Sequence, residues 1–167
     1  MVYILKFGIV GGMKTAVILD NIRSVHNVGS IFRTSDAAGI NEIFLCGYTP
    51  QPVDRFNRPR KDLAKVALGA EKTIPWKYFE DVKECINELK KGGYTILAIE
   101  QAPNSVDYKN VKLPEKVAFI FGNESLGIEK EILDLCDIIV EIPMLGEKES
   151  LNVSVSAGIA LFRMLNI

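Results

Sequence analysis

The chain has 167 residues, 48% of them hydrophobic and 25% charged, which suits one globular domain with a sizeable core and excludes a disordered or wholly membrane-embedded protein. Its net charge is −1, so no global positive field draws in nucleic acid, and any such contact must come from a local patch. Cys46, Cys85 and Cys136 sit far apart in apolar surroundings with no C-x-x-C pair, and there is one histidine. Neither a zinc site nor a disulfide framework is indicated, no metal is expected, and free thiols fit a reducing, cytoplasmic setting. Residues 1–14 carry a short apolar run interrupted by Lys6. They read as a strand-like N-terminal extension, or as an upstream start before Met13. A signal peptide or membrane span does not fit them.

Ala16–Leu19 is a short apolar run that reads as a buried strand. It runs into Asp20, Asn21, Arg23 and His26, with Asn27 as a candidate N-cap for a helix whose apolar face is Val28, Ile31, Phe32 and Ala38. Arg33 falls on the second turn of that helix, and Gly39 ends it. Ile43–Cys46 is the next strand. Residues 47–62 hold Pro50, Pro52 and Pro59 and lack periodicity, so they form a long loop. Within it Arg55, Arg58, Arg60 and Lys61 surround Phe56, and Lys65 follows on a short helix. Cations interleaved with an aromatic suit RNA phosphates and bases, although Asp54 and Asp62 reduce the local excess and a solvated loop would look similar.

Thr73–Phe79 reads as a short strand or connector. Glu80–Lys91 is an amphipathic helix with Val82, Ile86 and Leu89 on one face, closed by Gly92 and Gly93. Thr95–Ile99 is a buried strand, residues 103–115 a polar connector, and Val117–Phe121 another strand. Ile128–Cys136 reads as helical and Ile138–Ile142 as the last strand. Pro143 turns the chain into the polar loop Gly146-Glu147-Lys148-Glu149, and a small-residue helix runs from Val153 to Leu165, capped by Ser150 or Asn152. Strands alternate with helices, which predicts an α/β domain with a mainly parallel sheet flanked by helices.

Three strand-to-helix turns are chemically loaded: Asn27-Val28-Gly29 with Arg33, Gly122-Asn123-Glu124 with Gly127, and Ser150-Leu151-Asn152. In a parallel sheet all three fall at the strand C-terminal ends, where α/β proteins bind ligands. Neither G-x-x-x-x-G-K-[ST] nor G-x-G-x-x-G is present, so nucleotide hydrolysis and hydride transfer have no motif here. In this order NVGSIFRT, FGNESLGI and IPMLG followed by SLNVSVSA resemble the motifs of the SpoU (TrmH-type) family of the SPOUT superfamily. These are S-adenosylmethionine-dependent RNA ribose 2′-O-methyltransferases. The likeness runs from about residue 16 to the end, without the appended RNA-binding domain of larger relatives, so a single domain over 1–167 is expected.

The resemblance implies a SPOUT-type α/β knot with a C-terminal trefoil, a feature no periodicity argument would propose. It implies a homodimer, a methyl donor held near Ile99, Glu100, Gly122, Ile142, Met144 and Leu151, and an RNA substrate, transfer or ribosomal. Arg33 would be the catalytic residue, with Asn27, Glu124, Ser150 and Asn152 positioning it, the ribose and the donor. Arg23, Arg55, Arg58, Arg60 and Lys61 are the candidate RNA contacts. Neutralising an arginine at pH 7 costs roughly 8 kcal/mol, so Arg33 is expected to bind phosphate and stabilise the developing alkoxide, whether or not it takes the proton. His26 is a rival base by its ordinary pKa. A catalytically silent knot-fold RNA-binding protein and a small-molecule α/β enzyme are the competing readings. Failure to bind the donor would favour the first, and insensitivity to Arg55, Arg58 and Arg60 the second.

Overall fold

A computed structural model describes residues 12–167, so most of the expected extension over 1–14 lies outside the described residues. In chain order the elements are β1 (Lys14–Asp20), α1 (Val25–Ala37), β2 (Glu42–Cys46), α2 (Lys61–Ala67) and α3 (Ala70–Thr73). They continue with β3 (Trp76–Phe79), α4 (Val82–Lys91), β4 (Thr95–Ile99), β5 (Val106–Asp107), a 3-10 turn at Tyr108–Asn110 and β6 (Lys116–Phe121). The chain ends with α5 (Lys130–Leu133), β7 (Ile138–Glu141) and α6 (Val153–Met164). The strands form one sheet in the order β3-β2-β1-β6-β4-β7-β5, parallel at every pairing. The expected α/β class and parallel sheet are therefore what the chain adopts.

Parallel strands covered on both faces need apolar residues at successive positions, and β1 and β6 supply them. Val17, Leu19, Phe119 and Phe121 point to the side covered by α1, α2, α3 and α6. Ala16, Ile18, Ala118 and Ile120 point to the side covered by α4 and α5. Phe32, Phe44, Phe119 and Phe121 are among the largest fully buried side chains. Each such burial stabilises the fold by about 1.5–3 kcal/mol, and the four lie on both sides of the sheet, so both helical layers are anchored.

Several local expectations change. Ser24, not Asn27, caps α1, its hydroxyl accepting from Asn27 N–H. Arg33 is the ninth residue of α1 and so lies on its third turn. The apolar spacing after Gly127 supports only the short α5, because Leu135 N and Cys136 N bond back three residues to Ile132 and Leu133 and tighten the turn into β7. Residues 103–115 contain β5, which pairs with β7, and the 3-10 turn, which packs against α6. Thr73 closes α3, and β3 begins only at Trp76.

Candidate active site

β1 and β6 are paired neighbours, with Leu19 beside Phe121, so the turns that follow them meet at one edge of the sheet. Glu124 ties them together. Its carboxylate accepts from Arg23 N–H at 2.9 Å, Ser24 N–H at 2.9 Å and Asn27 Nδ2 at 2.9 Å. Two of these donors are backbone groups at the unpaired start of α1, where a negative charge is also favoured by the helix dipole. Asn152 Nδ2 then donates to Asn27 Oδ1 at 3.2 Å, and its own Oδ1 caps α6 by accepting from Ser154 N–H. Of the two candidate caps, Asn152 fills the role.

Burial pushes the Glu124 carboxyl upward. The N–H groups of Arg23 and Ser24 and the Asn27 amide outweigh that and hold it below the usual glutamate value. The ionised form is thus favoured by the fold. Its grip persists across the neutral range and is lost only as pH falls through that lowered value.

Beside this junction lies a cavity of about 300 Å³. Ile99, Glu100, Gly122, Ile142, Met144 and Leu151 all line it, together with Ser150. Residues that sequence reasoning missed complete the wall, notably Gln101, Asn123, Leu126 and Val153. Gly122 leaves no space for a side chain: a Cβ there would lie 2.5 Å from Gly127 O and 2.6 Å from Ile128 Cγ1. Gly127 adopts φ +67°, which an L side chain rarely takes, and its N–H and carbonyl both bond to Asn123. Asn123 Oδ1 accepts from Ser125 N–H and Leu126 N–H, closing the turn. Both Glu100 oxygens are engaged, Oε1 by Gln101 N–H and Oε2 by Ile128 N–H. Glu100 therefore shapes the rim by fixing the backbone of Gln101 and Ile128.

Arg33 is exposed, and its side chain makes no hydrogen bond or ion pair among the described residues. It lies six residues beyond Asn27, about 240° around the helix, so the two side chains leave different faces. His26 is also exposed and outside the cavity wall. On the basic loop, Arg58 pairs with Asp54 at 2.7 Å and Arg60 with Asp62 at 2.7 Å. Arg55 and Arg58 guanidinium carbons sit 4.8 and 5.0 Å from the Phe56 ring centre. Arg23, Arg55 and Lys61 are exposed, and their side chains have no carboxylate partner among the described residues. Among those residues no group of His, Cys, Asp and Glu is disposed to hold a metal ion, and no helix is long and apolar enough to cross a membrane.

A family model described as the SpoU rRNA Methylase family matches residues 14–162. The chain belongs to this family. It is 33% identical over 153 residues to a Staphylococcus haemolyticus protein named for the TrmH family of tRNA/rRNA methyltransferases, covering 92% of this chain and 59% of that one. It is 36% identical over 145 residues to 23S rRNA (guanosine-2′-O-)-methyltransferase RlmB of Neisseria meningitidis, covering 87% of this chain and 55% of the relative. The AdoMet-bound rRNA methyltransferase of Sinorhizobium meliloti superposes with a TM-score of 0.83 at 30% identity, over 92% of this chain and 56% of that one. The chain thus spans little more than half the length of these relatives.

Proposed function

We propose that this protein is an S-adenosylmethionine-dependent RNA methyltransferase that methylates a ribose 2′-hydroxyl of transfer or ribosomal RNA. The observation that carries the reading is the bonded junction of Asn27, Glu124 and Asn152 beside a cavity walled by Ile99, Gly122, Ile142, Met144 and Leu151. The walls fit the donor. Apolar side chains suit the faces of an adenine, backbone amides suit its edge, and the missing side chain at Gly122 lets the Gly127–Ile128 segment close against the strand end that forms the wall. Ile99, Glu100, Gly122, Ile142, Met144 and Leu151 would hold it. When bound it supplies an electrophilic methyl group on a sulfonium, so the protein's task is orientation and management of one proton.

The 2′-oxygen would take the methyl as its bond to sulfur breaks, leaving a neutral thioether, and the hydroxyl proton would pass to water, so that negative charge develops on the oxygen in between. Arg33 faces that charge and the adjoining phosphate as a cation. Asn27, Glu124 and Asn152 keep the start of α1 and the start of α6 in register, and Ser150 meets the sugar from the rim. Arg23, Arg55, Arg58, Arg60 and Lys61 bind the RNA backbone. The exposed Arg58–Asp54 and Arg60–Asp62 pairs are worth at most about 1 kcal/mol each, so a phosphate can displace either carboxylate.

The proposal includes a homodimer in the cytoplasm, and a trefoil knot at the C-terminus. For the dimer, Val155 and Phe162 stand exposed seven residues apart on α6, with Leu126, Leu145 and Leu151 exposed on the neighbouring loops. A second copy would cover this apolar rim and complete the cleft. For the knot, the support is that α6 packs against both α1 and the 3-10 turn.

The test is transfer of labelled methyl from S-adenosylmethionine into RNA from cells lacking the protein, followed by mapping of 2′-O-methyl sites. Alkali-resistant ribose methylation is expected, and Arg33→Ala should slow it by roughly 100- to 1,000-fold with donor affinity kept. Methylation confined to bases would refute the reaction, and full activity of Arg33→Ala would remove Arg33 from the chemistry.

A further inference from the structure

Tyr48 stands two residues beyond the end of β2, at the start of the loop that carries the basic residues, and is bonded to the Asn123–Glu124 turn. It is 58% exposed, yet it is tethered at both ends. Its N–H donates to Asn21 Oδ1 at 3.3 Å, and its hydroxyl accepts from Asn123 Nδ2 at 2.7 Å. Asn123 Nδ2 also donates to the Asn21 carbonyl at 2.9 Å, so the turn after β1, the turn after β2 and the cavity turn share one network. An exposed tyrosine is normally free to rotate. Here the rotation is already lost before anything binds, which lowers the ordering cost of a partner on the ring.

Phe56, the other exposed aromatic near the basic residues, differs. The guanidinium groups of Arg55 and Arg58 already lie against its ring. No cation or aromatic ring packs on Tyr48 among the described residues. Tyr48 is therefore the open π-surface of this edge, and it sits one hydrogen bond from the residue preceding Glu124. Aromatic faces of this kind accept any base by stacking, whereas the cations of the loop recognise only phosphate.

We propose that Tyr48 is the platform on which a base of the bound RNA stacks, next to the sugar that is methylated. The inference rests on the RNA-methyltransferase reading. It adds that the ring of Tyr48, not its hydroxyl, helps select the nucleotide presented to the cavity.

The experiment measures binding of a short single-stranded RNA of mixed sequence, and of the same oligomer with abasic riboses, to the wild type, Tyr48→Ala and Tyr48→Phe. S-adenosylmethionine binding by calorimetry is measured on all three proteins. Tyr48→Ala should weaken binding of the base-bearing RNA by about 5- to 150-fold, with little change for the abasic oligomer. Tyr48→Phe keeps the ring but loses its tether to Asn123, so its affinity should fall between those of the wild type and Tyr48→Ala, and donor affinity should stay level throughout. Wild-type affinity in Tyr48→Ala, or an equal loss for both oligomers, overturns the platform while leaving the RNA reading intact. A loss in Tyr48→Phe as large as in Tyr48→Ala, accompanied by weaker donor binding, assigns the residue to bracing the cavity turn and also overturns it. Failure of the wild type to bind either oligomer defeats the RNA reading and the platform together.

Discussion

Asp20 ends β1 with 4% of its surface exposed, and the one hydrogen bond to its carboxylate among the described residues comes from Asn21 Nδ2 at 3.1 Å. Burial, reinforced by the nearby carboxylates of Glu129 and Asp81, raises its pKa from 3.8 to about 6. A raised carboxyl means the folded state favours the neutral form. Below pH 4 the group is neutral whether folded or unfolded. As pH rises through the interval from about 4 to about 6 the unfolded chain ionises first, and stability falls. Above that interval the full penalty applies, and a gap of about two pH units corresponds to about 3 kcal/mol. Asp20→Asn keeps an oxygen for Asn21 and turns an amide toward the two acidic neighbours. At pH 8 it should therefore be more stable by up to about 3 kcal/mol, which for a chain of this size raises the melting temperature by roughly 6–12 °C. Urea unfolding of both proteins at pH 8 and pH 5 checks this. The advantage should shrink at the lower pH. No advantage at pH 8, or one that persists undiminished toward pH 4, would show that Asp20 is not a strained ionised group.

Gly122→Ala should abolish S-adenosylmethionine binding in calorimetry, because the new methyl meets Gly127 backbone atoms at 2.5–2.6 Å; unaltered affinity would mean that the cavity does not hold the donor. Phe162→Glu places a charge on the exposed apolar stripe of α6 and should shift the protein to monomers in sedimentation at micromolar concentration, with methyl transfer reduced in step. Dimers that survive this change would locate the interface elsewhere.

The three turns were legible in the sequence because motif order and strand-end placement are both local properties. The residues expected around the donor do line one cavity, since each belongs to one of these strand ends or to the loops leading from them. What sequence could not supply was pairing between distant segments. The insertion of β6 between β1 and β4 depends on contacts across most of the chain, and the two-residue β5 is too short to carry a periodic signal. Asn27 illustrates the local version of the problem. Ser24 and Asn27 are both good capping residues, and the choice was decided by Glu124, a partner 97 positions away that claims the Asn27 amide. Tyr48 and Asn21 looked like ordinary loop residues because their roles arise from a network that includes Asn123. Arg33 stood out by its motif, and its six-residue spacing from Asn27 sets the two on different faces once α1 is known to contain both.

The Asn152–Asn27 bond joins positions 125 residues apart, and the cavity wall extends to Ser156. During synthesis, then, the pocket has no roof until the segment through Ser156 has left the ribosome. An incomplete chain can form strands and helices but has nothing with which to grip a methyl donor. Acquisition of the binding cleft therefore waits on residues 150–156, and fragments that stall before them are born inert.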